Sequence, residues 1–196
     1  MGMKCVLASV KPKWCRKIES KEKKTEVRKT VPLIPIPFKV FIYCTQGTGA
    51  DTFNAPVSFE TIRDDYIETG SMDSINCEIG NGKVVGEFIS EGYDVYPLES
   101  EAVRELSELS CVPAAELYKY AGGNAKLYGW HISDPVFYEK PKELSEFYKP
   151  GTLSAADFEY QLYDGSGDPR RSSYASYLFT QAIRRPPQSW CYVEVL

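Results

Sequence analysis

Residues Trp14–Thr30, WCRKIESKEKKTEVRKT, carry three consecutive patterns. Trp14, Lys17 and Ile18 recur at helical spacing, with Arg16, Glu19 and Ser20 pointing the other way. A short amphipathic helix is expected there, opened by Pro12, whose fixed φ suits a first helical turn. Glu22 to Lys24 form a polar turn. Thr25 to Thr30 then alternate as a strand, placing Glu26 and Arg28 on one face and Thr25, Val27 and Lys29 on the other. Lys23, Glu26 and Arg28 therefore gather where the turn enters the strand. Charges at such a point suit the holding of a polar ligand better than the filling of a core.

Working outward, Lys4 to Val10 read as a first strand, stopped by Lys11-Pro12. Downstream, Val31–Pro37 (VPLIPIP) has three prolines and must be an extended connector. Phe38–Thr45, FKVFIYCT, is the strongest strand in the chain and belongs at the centre of a sheet. Strands are also expected over Lys83–Ser90, where Gly86 marks a bulge or close approach, over Leu127–Ser133, over Val136–Tyr138 and over Ser189–Val195. Helices are expected from Glu101 to Leu109, capped by Ser100, and from Ala114 to Tyr120, opened by Pro113 and ended by Gly122-Gly123. Lys142 to Phe147 can make one helical turn. Two stretches lack clear periodicity: Gln46–Asn76, with a helix or loop around Ser58 to Ile67, and Leu153–Ile183, with DGSGDPRRSS as an exposed loop at its middle. Six or seven strands with two or three short helices, not in regular alternation, indicate an α+β fold with a small, strongly curved or closed sheet.

The 196 residues imply one domain across 1–196 with insertions at 46–76 and 153–183. A net charge of −4 argues against bulk electrostatic coating of nucleic acid, although basic residues crowd the first thirty positions and acids dominate Glu60 to Glu116. The six cysteines show no CxxC spacing and there is a single histidine, so no metal is expected. Without a secretory signal or a membrane-length apolar run, a cytoplasmic protein with reduced thiols and no membrane contact is expected.

The succession SVKP, IESKEKKTEVRK, FKVFIYCTQG, GKVVGEFIS, LYGWHIS, KPKELSEF and RPPQSWCYVEV resembles the ASCH domain, a member of the PUA-like β-barrel superfamily, in the form carried by small phage and Gram-positive bacterial proteins. The resemblance leaves out the two insertions. It implies a mixed β-barrel of about six strands whose cleft is walled by the helix after the first strand. It also implies binding of RNA or a modified nucleoside, as PUA-like domains commonly do. One small bacterial ASCH protein is an amidohydrolase of acetylated cytidine nucleosides. It uses a lysine proton acceptor, a threonine nucleophile three residues on, and an acid from a later helix. Carried over, the lysine is Lys23 and the following arginine is Arg28. The threonine position is Glu26, which cannot supply an alkoxide, while Thr25 projects to the opposite side. Glu116 is a candidate for the later acid.

The expected ligand-binding residues are thus Ser9 and Lys11 at the exit of the first strand, Lys23, Glu26 and Arg28, and Trp130 and His131 in a later strand. Lys23 and Glu26 are also the catalytic candidates. A partly buried lysine can serve as a base, Arg28 offers a planar fork to a carbonyl or phosphate, and Trp130 can stack on a base. The leading expectation is binding of RNA or a modified nucleoside in a charged cleft, without cofactor. A nucleoside amidohydrolase or ribonuclease with Lys23 as base is the enzymatic alternative. A protein-interaction module working through the insertions is the other.

Overall fold

Pro12 opens α1 (Pro12–Glu19) directly after β1 (Met3–Val10), and Pro12, Cys15 and Ile18 form the buried stripe that α1 packs inward. These contacts come from a computed structural model that describes residues 3–47, 51–69, 77–163 and 173–195. α1 ends on Ser20, and Lys21 takes a left-handed conformation (φ 60°) that turns the chain into β2 (Thr25–Arg28). The remaining strands are β3 (Phe38–Cys44), β4 (Val84–Ser90), β5 (Tyr93–Pro97), β6 (Lys126–His131), β7 (Ser133–Lys142) and β8 (Trp190–Val195).

One sheet has the order β7-β4-β3-β1-β8 and the other β2-β6-β5. β1 and β3 run parallel, with Val6 opposite Val40 and Val10 opposite Cys44, and every other pairing is antiparallel. Only Glu91 and Gly92 separate β4 from β5, and only Ile132 separates β6 from β7. The same two chain segments therefore bend from one sheet into the other, and the His131 amide bonds the Gly92 carbonyl at the corner (2.9 Å). The sheets face each other across a core of Val6, Ala8, Val40, Ile42, Phe88 and Trp130, sealed at one end by Cys15 and Ile18 of α1. On the far side of the three-stranded sheet, Val27, Tyr96 and Leu127 pack against Leu106 of α3 (Ser100–Ser110) and Leu117 of α4 (Ala114–Ala121). On the far side of the five-stranded sheet, Leu7, Phe41 and Val193 are covered by Leu144 and Phe147, in and just after a short 3-10 turn.

The α+β class holds, but the expected closed barrel is replaced by these two sheets, because no ladder joins β2 to β8 among the described residues. β2 is four residues long and the three-proline connector follows it, so three of the N–H donors that a continuing ladder would use are missing. Side chains span the seam instead. Arg28 Nη1 donates to the Ser189 carbonyl (2.9 Å), Trp190 Nε1 to Thr30 Oγ1 (3.1 Å), and the Leu33 amide to Tyr192 Oη (2.6 Å).

The expectation of two or three helices is also corrected: six α-helices occur among the described residues. Three lie in the two aperiodic stretches. α2 (Phe59–Thr69) leaves Phe59, Tyr66 and Ile67 exposed. α5 (Ala155–Tyr163) and α6 (Tyr174–Gln181) meet through Phe158, Tyr174 and Tyr177. Residues 164–172 of the DGSGDPRRSS segment, and residues 48–50 and 70–76 of the first stretch, lie outside the described residues. No helix among the described residues is long and apolar enough to cross a membrane.

Candidate functional site

Three elements fix the turn that carries Lys23. Its own amide bonds the Lys17 carbonyl of α1 (2.8 Å), the Lys24 amide bonds Leu109 O of α3 (2.8 Å), and the Lys24 carbonyl accepts from the Ile132 amide at the β6–β7 corner (2.9 Å). So held, the Lys23 side chain runs inward and is 1% exposed. Its ammonium donates to the Ser110 carbonyl (2.8 Å), lies 3.4 Å from Glu26 Oε2, and sits 5.4 Å from the centre of the Trp14 ring. Ser110 is the last residue of α3, and Cys111 caps that helix in the left-handed conformation (φ 57°). Lys23 thus occupies the negative end of a helix dipole.

Glu26 and Arg28 share the inner face of β2, as the alternation requires, and face the buried Trp130. Glu26 Oε1 accepts from Arg28 Nη2 (2.8 Å) while Oε2 faces Lys23, so one carboxylate is shared by two buried cations. The guanidinium also donates to Ser9 O (2.9 Å) and Ser189 O (2.9 Å). Burial lowers the proton affinity of Lys23. Glu26 works against that shift and the Arg28 charge adds to it. Arg28 Nε and Trp130 Nε1 are buried donors with no acceptor among the described residues.

The three side chains converge on one another, and Lys23 lines a recess that Glu26 and Arg28 do not. That recess, of about 430 Å³, is lined by Lys21, Lys23 and Lys24 of the turn and by Ile132, Asp134, Pro135 and Val136 of the β6–β7 corner. Lys21 (φ 60°), Cys111 (φ 57°) and Asp134 (φ 47°) are the non-glycine residues with positive φ among those described. Two of them line the recess and the third adjoins the carbonyl that holds Lys23. Strained backbone of this kind, at ~1–3 kcal/mol per residue, clusters at functional sites.

The other sequence-predicted residues lie elsewhere. Ser9 touches the cluster through its carbonyl, but its hydroxyl donates to Pro187 O (2.6 Å). Lys11 is exposed and does not line the recess. Trp130 is fully buried, edge-on to Phe38 and Trp190, so its ring cannot serve as an open stacking surface. His131 alternates away from the cluster and pairs with Asp94 on the exposed side (2.8 Å). Glu116 is bound to Lys13 at the surface (3.2 Å). Thr25 faces the helix-covered side, where a Cβ on Gly129 would meet both its methyl and Leu106.

Lys21, Lys24 and the Ile132–Val136 wall were not among the predicted site residues. The lysines are hidden in a uniformly charged run. The Asp134-Pro135 pair marks a chain reversal in the sequence, but not the side on which it closes. Among the described residues no group of three or more His, Cys, Asp or Glu could hold a metal ion.

No family model matches the sequence, and no curated protein matches it. Solved structures do resemble it. The crystal structure of ASCH from Zymomonas mobilis superposes with a TM-score of 0.51 at 15% identity, covering 95% of this chain and 85% of that one. Two single-substitution mutants of the same protein give 0.51 at 14% and 16% identity, covering 95% of this chain and 88% and 86% of theirs. The chain thus shares its fold with ASCH domain proteins.

Proposed function

We propose that this chain is an ASCH-type, PUA-like nucleoside-binding domain whose recess beside Lys23 accepts a single modified or unpaired base, free or in RNA. The observation that carries this is the meeting, at one recess, of a buried lysine, exposed lysines, an acid and an apolar wall. Such a mixture suits a ligand with a flat apolar face and a polar edge. The net charge of −4 favours one base over a long stretch of phosphate backbone.

Thermal-shift and calorimetric screening of nucleosides and short RNAs tests it. A binder should raise the melting temperature of the wild type, and Lys23→Met and Val136→Asp should lose the shift. Binding untouched by both substitutions, or no binder in the panel, would sink it.

The lowered proton affinity of Lys23 favours one alternative, a hydrolase with Lys23 as base. Glu26 has both oxygens engaged and is no free nucleophile, so water is the attacking group in that case. Turnover of acetylated cytidine or RNA that disappears in Lys23→Met distinguishes catalysis from binding.

A further inference from the structure

Within that nucleoside-binding reading, on which this rests, we infer that the recess takes its ligand as a nucleoside monophosphate. Lys21 and Lys24 receive the phosphate, the base lies along Ile132, Pro135 and Val136, and Asp134 accepts from the ligand's polar edge.

The rim is electrically lopsided, and the way nearby acids are used shows how. Lysines close to a carboxylate in this molecule are paired with it: Lys13 with Glu116, Lys39 with Glu87, and Lys83 with Glu78 and Glu143. Glu22 sits between Lys21 and Lys24 in sequence, yet it turns away to Lys17 and to the Ser20 hydroxyl (2.9 Å). Lys21 and Lys24 are left exposed at the rim with no ion pair among the described residues, whereas Lys23 beside them is already paired with Glu26. From the β6–β7 corner Asp134 lines the same recess, likewise with no ion pair among the described residues.

A recess with ammonium groups on one lining segment and a carboxylate on the other matches a ligand that is anionic at one end and a hydrogen-bond donor at the other. A nucleotide has both: its phosphate, and its amino or ribose hydroxyl groups. A neutral nucleoside leaves the cationic rim unanswered, while further phosphates would be repelled by Asp134. Lys21 also holds its place at a backbone conformation that glycine would adopt without strain. The cost of keeping a lysine there makes sense if its ammonium has a partner.

Calorimetry with the four ribonucleosides, their 5′-monophosphates, inorganic phosphate and trinucleotides decides the matter. At least one monophosphate should bind about tenfold or more tightly than its nucleoside at ~0.1 M salt, with the advantage shrinking as salt rises. Lys21→Gly with Lys24→Gln should bring that ratio toward one. Glycine accepts the left-handed turn, so unfolding does not explain the loss. A ratio near one in the wild type overturns the inference but leaves the nucleoside site standing. Inorganic phosphate binding as tightly as the nucleotide overturns it in favour of a bare anion site. Trinucleotides gaining a similar factor with each added phosphate overturn it in favour of an RNA strand. If neither nucleosides nor nucleotides bind, both proposals fall together.

Discussion

Two lysine–glutamate pairs, one on each side of the five-stranded sheet, show what burial does to the same chemistry. Lys39 and Glu87 lie 2.6 Å apart on the outer face with side chains 27% and 24% exposed, and Tyr138 Oη donates to the second carboxylate oxygen (2.6 Å). Burial pushes the Glu87 carboxyl up, but hydrogen bonds from Lys39 and Tyr138 outweigh it and hold the group below its usual range. The Tyr138 phenol is driven well above its own range by burial and by Glu87. At Lys23 and Glu26 the balance reverses. With side chains 1% and 9% exposed, loss of solvent exceeds what the pairing returns, and the lysine releases its proton more readily. An ion pair within reach of water is a fastening; one removed from it becomes a chemically adjustable group.

The largest effect that can break this contrast comes from the shared carboxylate. Glu26→Ala leaves two buried cations without a counter-charge and should cost about 3–5 kcal/mol in denaturant unfolding. A loss comparable to that of a surface pair would mean that water reaches the cluster. Glu87→Gln keeps the shape but weakens two hydrogen bonds in a half-open site, and should cost ~1 kcal/mol. Lys21→Gly, at the rim of the recess, should instead raise stability by ~0.5–1 kcal/mol by relieving the left-handed turn. No gain there would mean that the strain is stored elsewhere.

The pH dependence sharpens the contrast further. The proton affinity of Lys23 is lowered by folding, so the unfolded chain binds more protons between the folded value and the ordinary lysine value of about 10.4. Stability of the wild type relative to Lys23→Met should therefore rise as pH climbs through that window. Glu87 carries the same sign at the acid end, because its folded value is lowered too. Its contribution is present above the ordinary carboxylate range and is lost as pH falls through its lowered folded value, which a comparison with Glu87→Gln reads directly.

Much of this was written locally in the chain. The 3.6 spacing of Trp14 and Ile18, the alternation of Glu26 and Arg28 and the continuous FKVFIYC run led to the right elements, because each pattern is set by neighbours in sequence. β5 leaves little trace in the sequence because its exposed Tyr93 and Val95 and its terminal Pro97 show little apolar signal, its partner β6 being some thirty positions away. α2 leaves only a faint pattern, since Phe59, Tyr66 and Ile67 stay exposed and no buried stripe emerges. For the site, convergence of Lys23, Glu26 and Arg28 was legible from spacing alone. Which of the three borders open space was not, because that depends on the β6–β7 corner, whose Asp134 geometry is set by distant pairing with Lys24 and β4.

The seam between β2 and β8 has a mechanical consequence. A ladder distributes load over many equivalent rungs, so losing one changes little. Here a few side-chain contacts span the seam, and one of them, the guanidinium that grips Ser9 and Ser189, also clasps Glu26, so part of the latch is the anchor of the charged cluster. Opening the molecule along this line therefore disturbs the charged cluster as well, and hydrogen exchange in β2 and β8 should rise together when Arg28 is replaced.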